Sequence, residues 1–277
     1  MPEGKLTLLA GASGEVFSKA MRVAGLSSKP FPGEKLLFSL FNTIGETLPS
    51  MALARQAVTL AKGRSQDAVR SAARTVAPEL VDISGETEKT RTLYGLDDAA
   101  TAGFGRQCLL ARRMVESGVR YTMLVHGVQI GPHSWDDHGN VKAGMIKHSR
   151  EVDQPVAALL TDLAERGLLD ETLVVWASEM GRTPFRNGGL GNNPGREHNS
   201  WNLVMWMAGG NVKGGSSAGT TDEFGLRGVG EEIHIRDVHA TILDLMGLDD
   251  EQLRFLHAGR MRRLTDIGGR VLDEVTS

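Results

Sequence analysis

Residues 152–183 read VDQPVAALLTDLAERGLLDETLVVWASEMGRT, and two hydrophobic periods meet in them. Val152, Val156, Leu159, Leu160 and Leu163 recur at i, i+4, i+7, i+8 and i+11, the pattern of an amphipathic helix, which Gly167 then stops. Leu173-Val-Val-Trp176 follows as a short unbroken apolar run, the signature of a buried strand. It runs directly into Ser178-Glu179-Met180-Gly181-Arg182-Thr183. A helix feeding a buried strand, with polar residues at the strand's carboxyl end, is the repeating unit of an α/β sheet protein. It also marks where such proteins bind ligands.

The pattern extends outward in both directions. Tyr121–Val125 is a second apolar run, followed by a loop with His126, His133, Trp135, Asp136, Asp137 and His138. Leu203–Met207 is a third, ending in Gly209-Gly210, and Asp237 is placed to cap a helix that continues through Leu245 and closes at Gly247. Phe104–Glu116 reads as a helix stopped by Gly118, and 81–98 as a polar surface loop. Further upstream, Leu6–Ala10 reads as a strand leading into Gly11-Ala-Ser-Gly14. That turn matches neither a Walker loop nor a dinucleotide fingerprint and is read as a plain turn and helix cap. Met51–Ala77 is helix-compatible, with Pro78 as its stop. The expected fold is α/β: a central, mostly parallel sheet flanked by helices, with a helical N-terminal part.

Composition narrows the function. The 277 residues carry 31 Lys+Arg against 34 Asp+Glu, a net charge of −3, which gives no electrostatic footprint for nucleic acid or an acidic membrane surface. One cysteine, Cys108, excludes an intrachain disulfide and any cysteine-rich metal site. No apolar run reaches the roughly 18 residues of a membrane helix. At the N-terminus neither a basic-then-apolar leader nor a twin-arginine pair is visible, so cytoplasmic is the default expectation. The expected partner is a small-molecule or glycan ester, with no nucleic acid and no membrane. All eight histidines lie at or beyond position 126, which says where to look for chemistry.

Asp136 and His138 after the first strand, Glu179 after the second, and His198 on the Gly195-Arg-Glu-His198 loop are carboxylates and imidazoles on separate loops. That is what a divalent metal requires, because each ligand must approach from its own direction. Without usable cysteine the ligands are oxygen and nitrogen, so the expected metal is Zn, Mn, Mg or Ca. Asp137 is either solvated or orients a ligand histidine. Arg182 and Arg196 are either anion clamps or surface arginines. His239 either reaches the site or packs on the sheet. His126 and His148 read as ordinary surface or hydrogen-bonded histidines, and Gly188-Gly-Leu-Gly191 as a loop.

The run from Leu93 to Val275 resembles the DUF1501 family, abundant in planctomycetes and often called sulfatase-like. The resemblance rests on Ser84-Gly-Glu-Thr87, Leu93-Tyr-Gly-Leu-Asp97, Cys108-Leu-Leu-Ala-Arg-Arg113, Trp135-Asp-Asp-His-Gly-Asn140, Asp153-Gln-Pro155 and Arg166-Gly-Leu-Leu-Asp-Glu-Thr-Leu173. It continues through Glu179-Met-Gly-Arg-Thr-Pro184, Gly195-Arg-Glu-His198, Ala208-Gly-Gly-Asn-Val-Lys-Gly-Gly215, Asp237-Val-His-Ala-Thr-Ile-Leu243 and Gly259-Arg260. It implies an alkaline phosphatase-like core over 93–277, preceded by a helical, poorly matched region over 1–92. It also implies a metal-dependent hydrolase of sulfate or phosphate esters, with Asp136, His138, Glu179 and His198 on the metal. Arg182 and Arg196 fall near the anion, and Asp137, Glu197, Asp237 and His239 stand behind the ligands. Relatives are generally exported to the periplasm. The family's opening segment, which carries its first metal carboxylate and usual Ser/Thr nucleophile, has no match in residues 1–80, so no nucleophile is assigned. The alternative is a catalytically degenerate member with a structural metal site or a binding role.

Overall fold

The computed structural model of the chain describes residues 5–10, 80–127, 135–186, 194–257, 259–263 and 268–276. The Gly11–Gly14 turn, the Met51–Ala77 helix, His133 and the Gly188–Gly191 loop lie outside them, as does most of the N-terminal region. In chain order the elements are strand β1 (Lys5–Ala10), helices α1 (Glu88–Leu93) and α2 (Ala102–Glu116), and strand β2 (Tyr121–Val125). Helix α3 (Val141–Glu165) and strands β3 (Thr172–Ala177), β4 (Gly181–Arg182), β5 (His198–Asn199) and β6 (Trp206–Ala208) follow. A small ribbon of β7 (Thr220–Thr221) and β8 (Gly228–Val229) precedes helix α4 (Ile235–Leu245). The fold is thus a mixture of helix and strand, and no helix among the described residues is long and apolar enough to cross a membrane.

The residues group into two compact units. One contains 80–124 together with 150–168. Its core is the buried faces of α2 and the later turns of α3, with Tyr94, Leu109, Leu110, Leu159 and Leu163 almost fully enclosed. The buried row of α3 here is Val152, Pro155, Ala158, Leu159, Asp162 and Leu163, so Val156 and Leu160 sit at its margin rather than at its centre. The helix also begins at Val141, well before the apolar pattern does, because its first turns are polar.

Residues 81–98 lie mostly at the surface, as their polarity predicts, but they form helix α1 and turns instead of a plain loop and anchor a few groups inside. Tyr94 is fully buried, and its hydroxyl donates to Asp162 Oδ2 at 3.0 Å. Glu86 receives Arg113 at 2.7 Å and Arg112 at 2.8 Å, with the Glu86 side chain only 8% exposed. Burial opposes ionisation of Glu86, but the hydrogen bond from Arg113 and the charge of Arg112 beside it outweigh it and hold its carboxyl below the usual range. Polar composition misleads at these few groups because they are spent on one another. Cys108 lies in the same core, where burial pushes its thiol up and leaves it an inert packing residue.

The other unit contains β1, 125–149 and 169–276. β1 lies parallel to β3, from Lys5 opposite Thr172 to Ala10 opposite Ala177. β6 runs antiparallel on the other side of β3, pairing Val174 with Ala208 and Trp176 with Trp206. The sheet is therefore mixed. The third strand is shorter and later than the expected Leu203–Met207.

Asp237 is not the N-cap of α4. His234 occupies that position, and its Nδ1 accepts from the Arg236 amide at 3.1 Å. Asp237 stands at the third helical position, and its carboxylate accepts from the amides of His234 at 2.7 Å and Arg270 at 2.9 Å. This is a capping box in which a histidine replaces the usual Ser or Thr, which is why the acid alone drew attention in the sequence.

Candidate metal centre

Three backbone segments build the site. The bridge of Gly139 with Pro194 joins the Trp135–Asn140 loop to the Pro194–Asn199 segment, with Val141 N donating to Pro194 O at 3.0 Å and Arg196 N to Asp137 O at 3.2 Å. On its other side that segment pairs as β5 with β4, setting Arg182 opposite His198. Opposite residues of an antiparallel pair project to the same face, so Arg182 and His198 come out together. Gly195 is required by this layering: a Cβ there would lie 1.9 Å from the His138 carbonyl oxygen. Gly144 has a related role in the first turn of α3, where a Cβ would meet the Asp137 carboxylate at 2.1 Å.

Asp136 is the focus. Its Oδ1 is contacted by His198 Nε2 at 2.8 Å, His138 Nε2 at 2.9 Å and Arg182 Nη2 at 2.7 Å. The donor atoms of Asp136, His138 and His198 all lie within 4.8 Å of one another. Burial alone would raise the Asp136 pKa, but hydrogen bonds from His198 and Arg182, with the charges of Arg182 and His138, bring it to about 2. The carboxylate is thus held in its anionic form at neutral pH. The site is shallow and open, with the Asp136, His138 and His198 side chains 39–48% exposed.

Glu179, expected as a fourth ligand, stands outside this group. Glu197 approaches from behind, its Oε2 lying 3.4 Å from His138 Nδ1. A carboxylate on the far nitrogen orients an imidazole and makes it a better donor. Arg182 spends its guanidinium on Asp136 and the Trp135 carbonyl, and Arg196 donates to Thr183 O at 3.0 Å. Asp137 has a buried Oδ2 without a hydrogen-bond partner. Asp237 holds the start of α4, and burial beside His234 keeps His239 more easily neutral than an ordinary imidazole.

An aromatic cluster missed in the sequence supports the loop. Trp135 Nε1 donates to His126 Nδ1 at 2.9 Å, and its ring packs on His148 at 5.0 Å and edge-on to Trp176 at 6.3 Å. Trp176 in turn stacks on its cross-strand partner Trp206, the two rings nearly parallel at 5°. His148 is 1% exposed, so it is a core residue and not a surface one. The signal available in the sequence was the tryptophan immediately before Asp136, but its partners are 9 to 41 positions away.

A family described as "Protein of unknown function (DUF1501)" matches residues 46–276. The chain belongs to the DUF1501 family. The match takes in every residue of the Asp136 cluster and begins well before the Leu93 motif. Comparisons with curated proteins and with solved structures return no match. The DUF1501 motifs fall into two sets. Those around Glu86, Tyr94, Arg112–Arg113 and Gln154 lock the first unit together, while those around Trp135–Asn140, Arg182 and Gly195–His198 build the cluster.

Proposed function

We propose that this DUF1501 protein is a metal-dependent hydrolase of sulfate or phosphate esters, on an alkaline phosphatase-like core of the sulfatase-like kind, with Asp136, His138 and His198 holding the metal. The observation that carries the reading is the convergence of two imidazole nitrogens and one ionised carboxylate oxygen on a single open point. The donor set fits a metal. Two nitrogens and an oxygen suit Zn or Mn better than Mg or Ca, which favour all-oxygen shells. The ligand contacts of 2.8 and 2.9 Å need to open only slightly toward the roughly 3.3 Å separations of a tetrahedral site.

A bound divalent ion supplies positive charge to an ester oxygen and to an attacking water. The chain's own residues do the rest. Glu197 orients the His138 ring, Trp135 and His126 hold the loop, and Arg182 keeps Asp136 ionised and aimed. Arg182, 2.7 Å from the Asp136 carboxylate, is the cation beside the metal donors that would meet a sulfate or phosphate oxygen of the substrate.

The test is elemental analysis of wild type, Asp136→Ala and His198→Ala, beside hydrolysis of 4-nitrophenyl sulfate and 4-nitrophenyl phosphate. Stoichiometric metal and turnover, both lost in the variants, support the hydrolase. Metal without turnover supports the alternative of a structural or binding site. No metal in wild type refutes the hydrolase and the structural metal site, and leaves only a metal-free binding role.

A further inference from the structure

We infer that Trp201 and Arg227 form a recognition platform for the organic part of the ester, a ring compound carrying a second negative charge. The inference rests on the hydrolase reading for the identity of the first anion.

Trp201 is 68% exposed, so its indole contributes little to burial. The Arg227 guanidinium lies over the ring at 5.1 Å from its centroid. An exposed cation–π contact adds little stability, so folding does not account for the pair. The backbone beneath it is nonetheless fixed with unusual care. The carboxylate of Asp222 accepts from the amides of Phe224, Leu226 and Arg227 at 2.8–3.1 Å, closing a tight loop at the end of the β7–β8 ribbon. Asn199 is 3% exposed and ties the two sides together, donating to Leu226 O at 2.9 Å while its Oδ1 accepts from the Trp201 amide at 3.1 Å. The backbone beneath both members of the pair is therefore fixed before any ligand arrives, which lowers the entropic cost of binding.

Position relative to the cluster sets the ligand's size. Trp201 follows His198 by three residues, a separation of at most about 11 Å along the chain. That bound leaves room for an ester whose charged group sits at Asp136, His138 and His198 to lay one ring on the platform. The guanidinium covers one face of the indole and leaves the other for that ring, and it has no use for a neutral substituent but pairs strongly with a phosphate, sulfate or carboxylate. Two sources share this chemistry, a multiply charged sugar ester and a nucleotide.

The experiment is calorimetric titration of the metal-reconstituted full chain with inorganic phosphate, glucose 6-phosphate, glucose 1,6-bisphosphate and adenosine 3′,5′-bisphosphate. One of the bisphosphates is expected to bind at least about tenfold more tightly than inorganic phosphate. Trp201→Ala abolishes that gain, Trp201→Phe retains most of it, and Arg227→Gln erases the preference for bisphosphate over monophosphate. Whichever bisphosphate binds more tightly identifies the source. Equal affinity for all four ligands, or gains that survive Trp201→Ala, overturn the platform. The metal content of the same samples, and not these affinities, decides the hydrolase reading.

Discussion

Replacing Arg112 with methionine tests the reading of the first unit. Arg112 is 2% exposed and touches three carboxylates, Glu86 at 2.8 Å, Glu116 at 2.5 Å and Asp162 at 3.0 Å. Of these contacts, the one to Glu116 is an aligned hydrogen bond. Nε and Nη2 lie close to Asp162 and Glu86 but off the N–H axis, so they act as charge contacts. Three cations, Arg112, Arg113 and Arg166, balance three anions. Removing one side of a buried pair typically costs about 3–5 kcal/mol. Here Glu86 keeps Arg113 at 2.7 Å and Asp162 keeps Arg166 at 2.6 Å, which points to the lower end, about 3 kcal/mol. Against a typical total of roughly 5–15 kcal/mol, that is a large fraction.

Urea denaturation followed by far-ultraviolet circular dichroism should show the midpoint falling at unchanged slope. The pH dependence carries a sign. Glu86 has a lowered pKa when folded, so its contribution is present above its unfolded value of 4.5 and is lost as pH falls through the folded value. The gap between wild type and Arg112→Met should therefore narrow below about pH 4.5. A loss under about 1 kcal/mol at neutral pH, or a gap that does not narrow in acid, would refute the view of these groups as a buried, mutually dependent network.

Three further outcomes are expected. Gly195→Ala should push the Trp135–Asn140 loop from its neighbour and cost about 1–3 kcal/mol, with metal content falling in the same protein; unchanged metal and stability would mean the 1.9 Å approach relaxes freely. Asp237→Asn keeps only one of two amide acceptors and should lower stability by about 1–2 kcal/mol in thermal melts while leaving metal content intact. Tyr94→Phe removes a buried hydroxyl donor to Asp162 and should cost about 1.5–3 kcal/mol by urea denaturation; a neutral result would place water at that carboxylate.

Element type was legible wherever hydrophobic period was strong. The strands at Tyr121–Val125 and Thr172–Ala177, the helix ending at Leu245 and the α3 pattern were all readable, because side-chain period follows backbone geometry and needs no partner. Asp136, His138 and His198 could be named as ligand types because imidazole and carboxylate chemistry is local to the residue. Their convergence could not be read, since Asp136 and His198 are 62 positions apart and meet through a Gly139–Pro194 bridge and a two-residue ribbon too short to leave a pattern. Glu179 lies outside the group of three for a similar reason: following a core strand does not determine where a side chain ends. His234 as a cap, His148 as a core residue and the burial of Tyr94 and Glu86 were likewise settled by partners distant in the chain. The sequence by itself determined the local periodicities and the chemical inventory. The tertiary structure decided which of those groups share an oxygen, because hydrogen bonds and ion pairs form between atoms close in space, and that closeness is set by chain crossings no local pattern records.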